Sequence, residues 1–358
     1  MQKIRYAVVG AGWISQEAFM PGAGLTENSE MTAIVSGSTE KARRLAEFHE
    51  VPAVYSYEQY DEMLAADVCD AVYVALPNSM HADYTIRAAR AGKHILVEKP
   101  LATNIEDAEA MIAAAEENGL YLMTAYRLHN EPGTVDVLER IRAGEIGDPR
   151  IFSAIFSFFA APGNHRLKAS HWGGPLQDIG VYCLNAVRHV FGAEPEEVTA
   201  VRSHGNGDAR FAEVEESIAV TLKFPEGRLA QFIASFGGDS RDCYTVVGTK
   251  GSLTLDPGFR FETPMAMQRR NGEEIAFETF MHTDHFAGQT AYFSNCIIGG
   301  TPPEADGGEG LADMRALLAI EKAAETGQPQ KVNTPPRPTH PTRKMVHEFP
   351  LTDKRLLL

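Results

Sequence analysis

Short apolar runs alternate with amphipathic helical patterns over the first third of the chain. The runs IRYAVVG, MTAIVSG, DAVYVALP, KHILVEKP and LYLMTAY are rich in Val, Ile and Ala, which is typical of strands covered on both faces. Segments with helical spacing separate them, and one, NIEDAEAMIAAAEENG, is expected to begin with a capping box from Thr103 to Glu106. This alternation predicts an α/β fold with a doubly wound parallel sheet over residues 1–125.

After about residue 125 the alternation of strand and helix patterns gives way to successive strand patterns. The segments EVTAVRS, EESIAVTLKF, RLAQFIASF, DCYTVVGTKGSLTLD, FRFETP and EIAFETF follow one another, and several alternate apolar and polar positions between Gly, Pro and Asp turns. They predict an antiparallel sheet with one covered face, in a second domain over residues 126–330 that includes two late helices. Residues 331–358 form a proline-rich tail, which is incompatible with regular helix or central strand.

Composition excludes several classes of protein. The 358 residues carry a formal net charge of −15, which argues against nucleic acid as a partner. The apolar runs are too short to cross a bilayer, and the first residues lead directly into a strand without a signal-peptide pattern. Four cysteines (Cys69, Cys183, Cys243 and Cys296) show no paired spacing. We therefore expect a cytoplasmic protein with reduced thiols, no bound metal and no membrane partner.

A glycine-rich turn near residue 10 predicts a dinucleotide site. In VVGAGWIS a strand leads through Gly10 and Gly12 into a helix. The first glycine permits a tight turn, and the second lets the backbone approach a pyrophosphate at the helix N-terminus. Ser15 stands at the third position of the pattern, where glycine is usual. We expect Gly10, Gly12, Trp13 and Ile14 to contact the cofactor.

The end of the second strand favours NADP over NAD. An acidic residue here would bind the ribose hydroxyl of NAD, but this chain has the neutral residues Ser36, Gly37 and Ser38, followed by Lys41. The alternative is that Glu40, which also faces this loop, contacts a ribose. Hydroxyl donors and a cation suit a 2′-phosphate. The following arginines at 43 and 44 are either further phosphate ligands or solvated helix residues.

Polar residues also follow the next two strands of the parallel sheet. Ligands bind beyond the carboxyl ends of such strands. Lys99 is directed towards this edge by the following proline in VEKP, whereas a lysine after a strand is otherwise usually just solvated. His81 either meets the cofactor or is a helix residue without a ligand. The cofactor residues expected at this edge are Pro77, Asn78, His81, Glu98, Lys99 and Arg127.

A largely apolar helix in GGPLQDIGVYCLN carries Asp178 and Tyr182, four residues apart and therefore on one face. We expect Asn185, further along it, to be structural. Trp172, just before this helix, either stacks on a sugar ring or packs internally. The substrate-binding residues expected around the helix are Arg127, Arg166, Lys168, Trp172 and Asp178.

The sequence resembles the glucose–fructose oxidoreductase, inositol dehydrogenase and rhizopine-catabolism (Gfo/Idh/MocA) family. The matching motifs are GAGWIS, ALPNSMHAD, EKPLA, AYR and GGPLQDIGVYCLNAVRHVFG. The resemblance implies a Rossmann domain followed by an α/β domain with a large open sheet. It also implies the catalytic residues Lys99, Asp178 and Tyr182. Many family members have His in place of Tyr182, so tyrosine resembles the glucose–fructose oxidoreductase branch, as does the NADP preference. The first residues do not show the pattern of that enzyme's export signal, so we do not expect its periplasmic location here.

The resemblance implies hydride transfer between a nicotinamide and a sugar or polyol carbon. An ammonium beside a phenol favours its ionised form, so Tyr182 would act as general base while Lys99 stabilises charge on the reacting oxygen and Asp178 orients Lys99. We expect an NADP-dependent aldose 1-dehydrogenase that is a homodimer or homotetramer through its antiparallel sheet. The alternatives are a sugar-to-sugar oxidoreductase with tightly bound NADP and a non-catalytic sugar sensor. The sequence does not specify the sugar or the carbon.

Overall fold

The computed structural model describes residues 2–358, which divide into two compact units. Within the described residues, unit 1 comprises residues 2–131, 283–311 and 344–358, and unit 2 comprises residues 132–282 and 312–343. The expected division at residues 125 and 330 is therefore wrong beyond its first boundary. The chain returns to unit 1 twice, and the first return contains a buried late helix that packs on the Rossmann sheet. There Ser294 Oγ hydrogen-bonds Tyr6 Oη at 2.9 Å and Ser29 Oγ at 2.8 Å.

Unit 1 contains a six-stranded parallel sheet with the order β3-β2-β1-β4-β5-β6. Its strands are β1 (Ile4–Val9), β2 (Ser29–Val35), β3 (Ala53–Tyr55), β4 (Ala71–Val74), β5 (His94–Val97) and β6 (Leu122–Thr124). The doubly wound prediction is confirmed. Strand β3 was missed because its three residues, all half-buried, carry no apolar run long enough to stand out.

Nine α-helices lie among the described residues, and a π-helical turn over Ser15–Phe19 precedes the first of them. They are α1 (Met20–Ala23), α2 (Thr39–His49), α3 (Tyr60–Ala65), α4 (His81–Arg90), α5 (Ile105–Glu117), α6 (Pro132–Arg142), α7 (Val181–Phe191), α8 (His285–Gly299) and α9 (Gly307–Thr326). The capping box expected at α5 is wrong by one residue. Asn104 is the N-cap, and its Oδ1 accepts from Asp107 N–H at 2.8 Å. No helix within residues 2–358 is long and apolar enough to span a membrane.

Unit 2 contains a nine-stranded sheet with the order β14-β13-β12-β11-β7-β10-β9-β8-β15. Its strands are β7 (Pro149–Ser157), β8 (Glu197–Ser203), β9 (Ser217–Lys223), β10 (Leu229–Ser235), β11 (Arg241–Gly248), β12 (Ser252–Leu255), β13 (Ala266–Asn271), β14 (Glu274–Thr279) and β15 (Gln330–Lys331). Only the β7–β10 pair is parallel among these strands, so the mostly antiparallel prediction is confirmed.

One predicted strand is a loop, and the proline-rich tail begins with a short strand. FRFETP forms no strand; Gly258, Phe259 and Arg260 instead donate backbone N–H groups to buried Asp242, which holds the segment as a loop. At the start of the proline-rich tail, the two-residue strand β15 pairs with β8 and forms the edge of the sheet. Such an edge position is compatible with neighbouring prolines, which cannot donate to a central ladder. All four cysteines are free thiols.

Candidate active site

The glycine-rich turn has the geometry that a dinucleotide site requires. Gly10 has a φ of 101°, and a Cβ there would lie 2.3 Å from the carbonyl oxygen of Ala75. In contrast, apart from Gly12 and its two neighbours in the chain, no described atom lies within 4 Å of the Cβ position of Gly12. The space above Gly12 is therefore open to a ligand, while Gly10 is required by the fold itself. Ser15 replaces the third glycine and donates its hydroxyl to Gly10 O at 2.6 Å, which fixes the turn.

The residues after β2 form the capped beginning of α2. Ser38 is the N-cap, and its hydroxyl accepts from Lys41 N–H at 3.3 Å. Ser36 is buried, and its hydroxyl accepts from Ser38 N–H at 3.2 Å. These bonds leave Gly37 and Ser38 exposed and Lys41 half-buried at the helix N-terminus, which favours an anion. Arg43 and Arg44 are exposed further along the helix.

His81 is a structural residue, and its expected role in contacting the cofactor is wrong. It is fully buried, and its ring nitrogens lie 2.9 Å from the carbonyl oxygens of Pro100 and Leu76. Burial lowers the pKa of His81, and the hydrogen bonds to backbone carbonyls oppose that shift. The imidazole thereby connects the loops that follow β4 and β5, which carry the half-buried residues Pro77, Asn78 and Lys99.

The carboxylate beside Lys99 is held from within unit 1. Tyr73 Oη donates to Glu98 Oε1 at 2.7 Å. Burial raises the pKa of Glu98, and the positive charges of Lys99 and Arg127 oppose that shift. Arg127 is 4% exposed, and its Nη1 lies 3.0 Å from His285 Nδ1. Little of this guanidinium can therefore reach a ligand directly, and its charge acts on Glu98.

The helix that carries Asp178 and Tyr182 has one narrow accessible face. It begins with a π-helical turn over Leu176–Gly180 and continues as α7. From residue 176 to residue 191, all side chains are buried except Asp178, Tyr182 and Ala186, which are half-buried. These three positions repeat every four residues, as expected for one helix face. The acid and the phenol therefore occupy the one stripe of this helix that a ligand can reach.

Asp178 is paired with a cation of the preceding loop. Arg166 Nε lies 2.8 Å from Asp178 Oδ2. The contact is an ion pair and not a linear hydrogen bond, because the Nε–H does not point at an acceptor. Both residues are predicted separately as substrate ligands, but no local pattern in the sequence indicates that they form a pair. Lys168, a third expected ligand, forms an exposed ion pair with Glu213 at 2.6 Å.

Trp172 is attached to the late helix α9. Its indole Nε1 donates to Glu321 Oε1 at 2.8 Å, and Gln177 Nε2 donates to the same oxygen at 2.5 Å. These bonds support the packing interpretation of Trp172 and fix both ends of the segment that precedes Asp178. Burial raises the pKa of Glu321 to about 7, and the charge of Glu215 adds to the rise. Glu321 and Gln177 were not predicted from the sequence, because the residues around each position show no pattern that indicates this long-range contact.

The buried side of α7 is a charged network. Asn185 Nδ2 donates to Asp313 Oδ2 at 2.9 Å, as expected for a structural residue. Arg188, only 2% exposed, donates to Asp313 Oδ1 at 2.7 Å and to both carboxylate oxygens of Glu194. A buried cation with two acidic partners satisfies the requirement that such charges be paired. This network fixes the rotation of α7, and hence the direction of its accessible face.

These features define a dinucleotide-dependent oxidoreductase, and the chain belongs to the Gfo/Idh/MocA family. Residues 4–126 match the family described as "Oxidoreductase family, NAD-binding Rossmann fold", and residues 134–254 match "GFO/IDH/MocA C-terminal domain". The resemblance stated from the motifs is therefore confirmed.

Relatives of the chain act on sugars. A D-xylose 1-dehydrogenase (NADP(+)) of Haloarcula marismortui is 33% identical over 90% of this chain and 91% of its own. A solved aldose–aldose oxidoreductase from Caulobacter crescentus, complexed with glycerol, is 37% identical, with a TM-score of 0.88 over 92% of this chain and 100% of its own. KijD10, a 3-ketoreductase from Actinomadura kijaniata solved with NADP and TDP-benzene, is 30% identical, with a TM-score of 0.83 over 90% of this chain and 98% of its own.

Proposed function

We propose that the protein is an NADP-dependent oxidoreductase that acts on the anomeric hydroxyl of an aldose, as an aldose 1-dehydrogenase. The observation that carries the proposal is the accessible stripe of the π-turn and α7, where Asp178 and Tyr182 stand on an otherwise buried helix. The similarity to a D-xylose 1-dehydrogenase and to an aldose–aldose oxidoreductase supports a sugar as substrate.

The cofactor residues are those around the glycine turn and the two following strand ends. NADP, when bound, exchanges a hydride with the substrate carbon. The backbone of Gly10, Gly12, Trp13 and Ile14 would hold the pyrophosphate, since the space above Gly12 is open. Other contacts come from Ser36, Gly37, Ser38, Lys41, Pro77, Asn78, Glu98 and Lys99.

Lys99, Asp178 and Tyr182 are the proposed catalytic residues, an assignment that rests on motifs shared with the family. Tyr182 Oη removes the proton of the reacting hydroxyl as general base, and it returns that proton in the reverse direction. The Lys99 ammonium hydrogen-bonds the same oxygen and stabilises charge on it. Asp178 accepts a hydrogen bond from a second substrate hydroxyl and is held in place by Arg166, the ion pair at 2.8 Å.

A second candidate function is sugar-to-sugar oxidoreduction with a cofactor that stays bound. Its specific support is the structural similarity to the aldose–aldose oxidoreductase, which covers that chain completely. In such an enzyme one aldose would be oxidised at its anomeric carbon and reduce the bound cofactor, and a second sugar would be reduced at its carbonyl and reoxidise it. A non-catalytic sugar sensor has weaker support, because it would not need the acid and the phenol together with Lys99.

We also propose that unit 2 mediates homo-oligomer formation through the outer face of its sheet. Exposed apolar residues recur there in register: Ile155 faces Ile233, and Ile151 faces both Leu229 and Val247. Such a contiguous apolar patch is typical of an interface. Replacing Ile155 and Ile233 with Lys should yield a monomer in light scattering, and an unchanged mass would contradict this interface.

The test of the proposed function is nicotinamide absorbance with purified protein and a panel of aldoses, ketoses and polyols, each with NADP and with NAD. Reduction of NADP by one or more aldoses is the expected result. If the absorbance does not change and nucleotide is still bound to the protein, the sugar-to-sugar enzyme is favoured, and assays with pairs of sugars would then reveal its activity. If the absorbance does not change and no nucleotide is bound, the sensor is favoured.

A further inference from the structure

The segment that follows the proline-rich stretch returns to unit 1 and lies along it as an extended arm. We call residues 344–358 the C-terminal arm. Asn130 Nδ2 donates to Met345 O at 3.1 Å, and Asp284 N–H donates to Phe349 O at 3.0 Å. The Met345 side chain is buried. The beginning of the arm is therefore anchored to unit 1 through backbone carbonyls and one apolar contact.

The end of the arm reaches the π-helical turn that follows the glycine-rich turn. Leu358 N–H donates to Gln16 Oε1 at 2.7 Å. The guanidinium of Arg355 pairs with the carboxylate of Glu17 and also donates to Thr352 O at 2.8 Å. Two consecutive residues of the first helical turn thus have partners in the arm, one through a backbone donor and one through a charge.

Gln16 connects the arm to the nucleotide-binding turn itself. Its side chain is 2% exposed, and its Nε2 donates to Ala11 O at 2.7 Å. The neighbouring Ser15 hydroxyl donates to Gly10 O at 2.6 Å. Both carbonyls of the turn are therefore held from the helix side. Because Leu358 N–H donates to Gln16 Oε1, both the oxygen and the nitrogen of the Gln16 amide have a partner. The arm thereby holds the amide in the orientation in which Nε2 faces the turn.

We propose that the C-terminal arm, acting through Gln16, positions the glycine-rich turn for the dinucleotide pyrophosphate and slows dinucleotide release. A turn that is already ordered loses less conformational entropy on binding. Gln16 is a positioning residue, because its contacts are with the turn and the arm. The identity of the nucleotide as NADP rests on the proposed function, but the connection from arm to turn does not.

The test compares the nucleotide-free full chain with a chain that ends at Pro350, with Gln16→Leu and with both changes combined. NADPH fluorescence gives the dissociation constant and the release rate. Each change should raise the dissociation constant and the release rate about tenfold. The combined variant should show little more than either single effect, because the two changes break the same connection between arm and turn. Lys344→Ala, at an exposed position of the arm, is the control and should stay within twofold.

Amide hydrogen exchange of residues 10–16 without nucleotide provides the second readout. Shortening the arm should speed exchange there, while the thermal unfolding midpoint reports whether each variant is folded. Unchanged release and unchanged exchange in a folded, shortened chain would overturn the proposal, as would fully additive effects in the combined variant. Failure of the unmodified chain to bind NADP or NAD would contradict the proposed function and the nucleotide role together. Faster exchange alone would then show only that the arm orders the turn.

Discussion

The guanidinium of Arg166 lies 2.8 Å from the carboxylate of Asp178, and the two side chains are 25% and 20% exposed. A pair shielded to this extent is stronger than a fully exposed one, because water screens it less. The loop before the helix that carries Asp178 therefore supplies a cationic partner for this carboxylate, for which the sequence predicts a contact with Lys99. Within unit 2, Asp178 has its own cation.

Loss of that cation should reduce substrate turnover. In Arg166→Met, the Asp178 carboxylate loses the charge that holds it, and kcat/KM for the aldose should fall about tenfold, equivalent to about 1.4 kcal/mol. Steady-state kinetics measure the effect. The control is Arg241→Met, which breaks an exposed ion pair with Asp256 in the same unit and should change kcat/KM less than twofold. Equal losses in both variants would assign the effect to general destabilisation.

Removal of the Tyr182 hydroxyl should abolish most of the chemistry and spare binding. General base catalysis contributes about 10²–10⁴-fold, so Tyr182→Phe should lower kcat at least a hundredfold. NADPH affinity, measured by fluorescence, should stay within twofold. The ring itself should remain in place, because it packs against Phe156, with 5.9 Å between the two ring centroids.

The matched control is Tyr121→Phe, a half-exposed phenol of unit 1 whose ring stacks on His94. It should keep full activity. If Tyr182→Phe also retained full turnover and an unchanged pH profile, another group would have to be the base, and the proposed mechanism would be wrong.

Local patterns in the sequence were sufficient for much of this architecture. The apolar runs located five of the six parallel strands, because buried strands require uninterrupted Val, Ile and Ala. The four-residue spacing of Asp178 and Tyr182 correctly placed them on one helix face. The cap of α5 was off by one residue because Thr103 and Asn104 are both good N-caps, and only the backbone conformation decides between them.

Long-range partners could not be predicted in the same way. Trp172 and Glu321 are 149 residues apart, and the sequence around neither residue indicates the hydrogen bond between them. His81 is buried between two carbonyl groups that follow different strands. A local sequence pattern does not show that these two carbonyls are close in space. The return of the arm to the residues after the glycine-rich turn likewise depends on contacts between residues more than 300 positions apart, such as Leu358 N–H with Gln16 Oε1.

The raised pKa of Glu321 predicts how stability varies with pH. Burial moves this pKa from 4.5 to about 7, so between these values the folded state binds more protons than the unfolded state. Stability should therefore fall as pH rises from about 4.5 to about 7, by at most about 3 kcal/mol from this group. Glu321→Gln keeps an acceptor for Trp172 and Gln177 and removes the charge, so it should unfold at higher temperature than the unmodified protein at pH 8.

That advantage should disappear below about pH 4.5, where Glu321 is protonated in both states. Thermal unfolding midpoints at a series of pH values measure the difference. Glu325→Gln, at an exposed position four residues further along α9, is the control and should follow the unmodified protein. A constant gap between Glu321→Gln and the unmodified protein at all pH values would rule out titration of Glu321 as the cause.

Cofactor preference should depend on the charge at the N-cap of α2. Ser38 is exposed, and its hydroxyl caps the helix through Lys41 N–H. Asp is an equally good cap, so Ser38→Asp should preserve the fold while its carboxylate repels a 2′-phosphate and accepts from a 2′-hydroxyl. KM for NADP should rise roughly 10–100-fold, which corresponds to about 1.4–2.8 kcal/mol, and KM for NAD should stay the same or fall. Ser38→Asn supplies a neutral cap of the same shape and should keep the NADP preference. If Asp and Asn weakened NADP equally, the helix cap and not the charge would control the preference, and the proposed position of the 2′-phosphate beside Ser38 and Lys41 would be wrong.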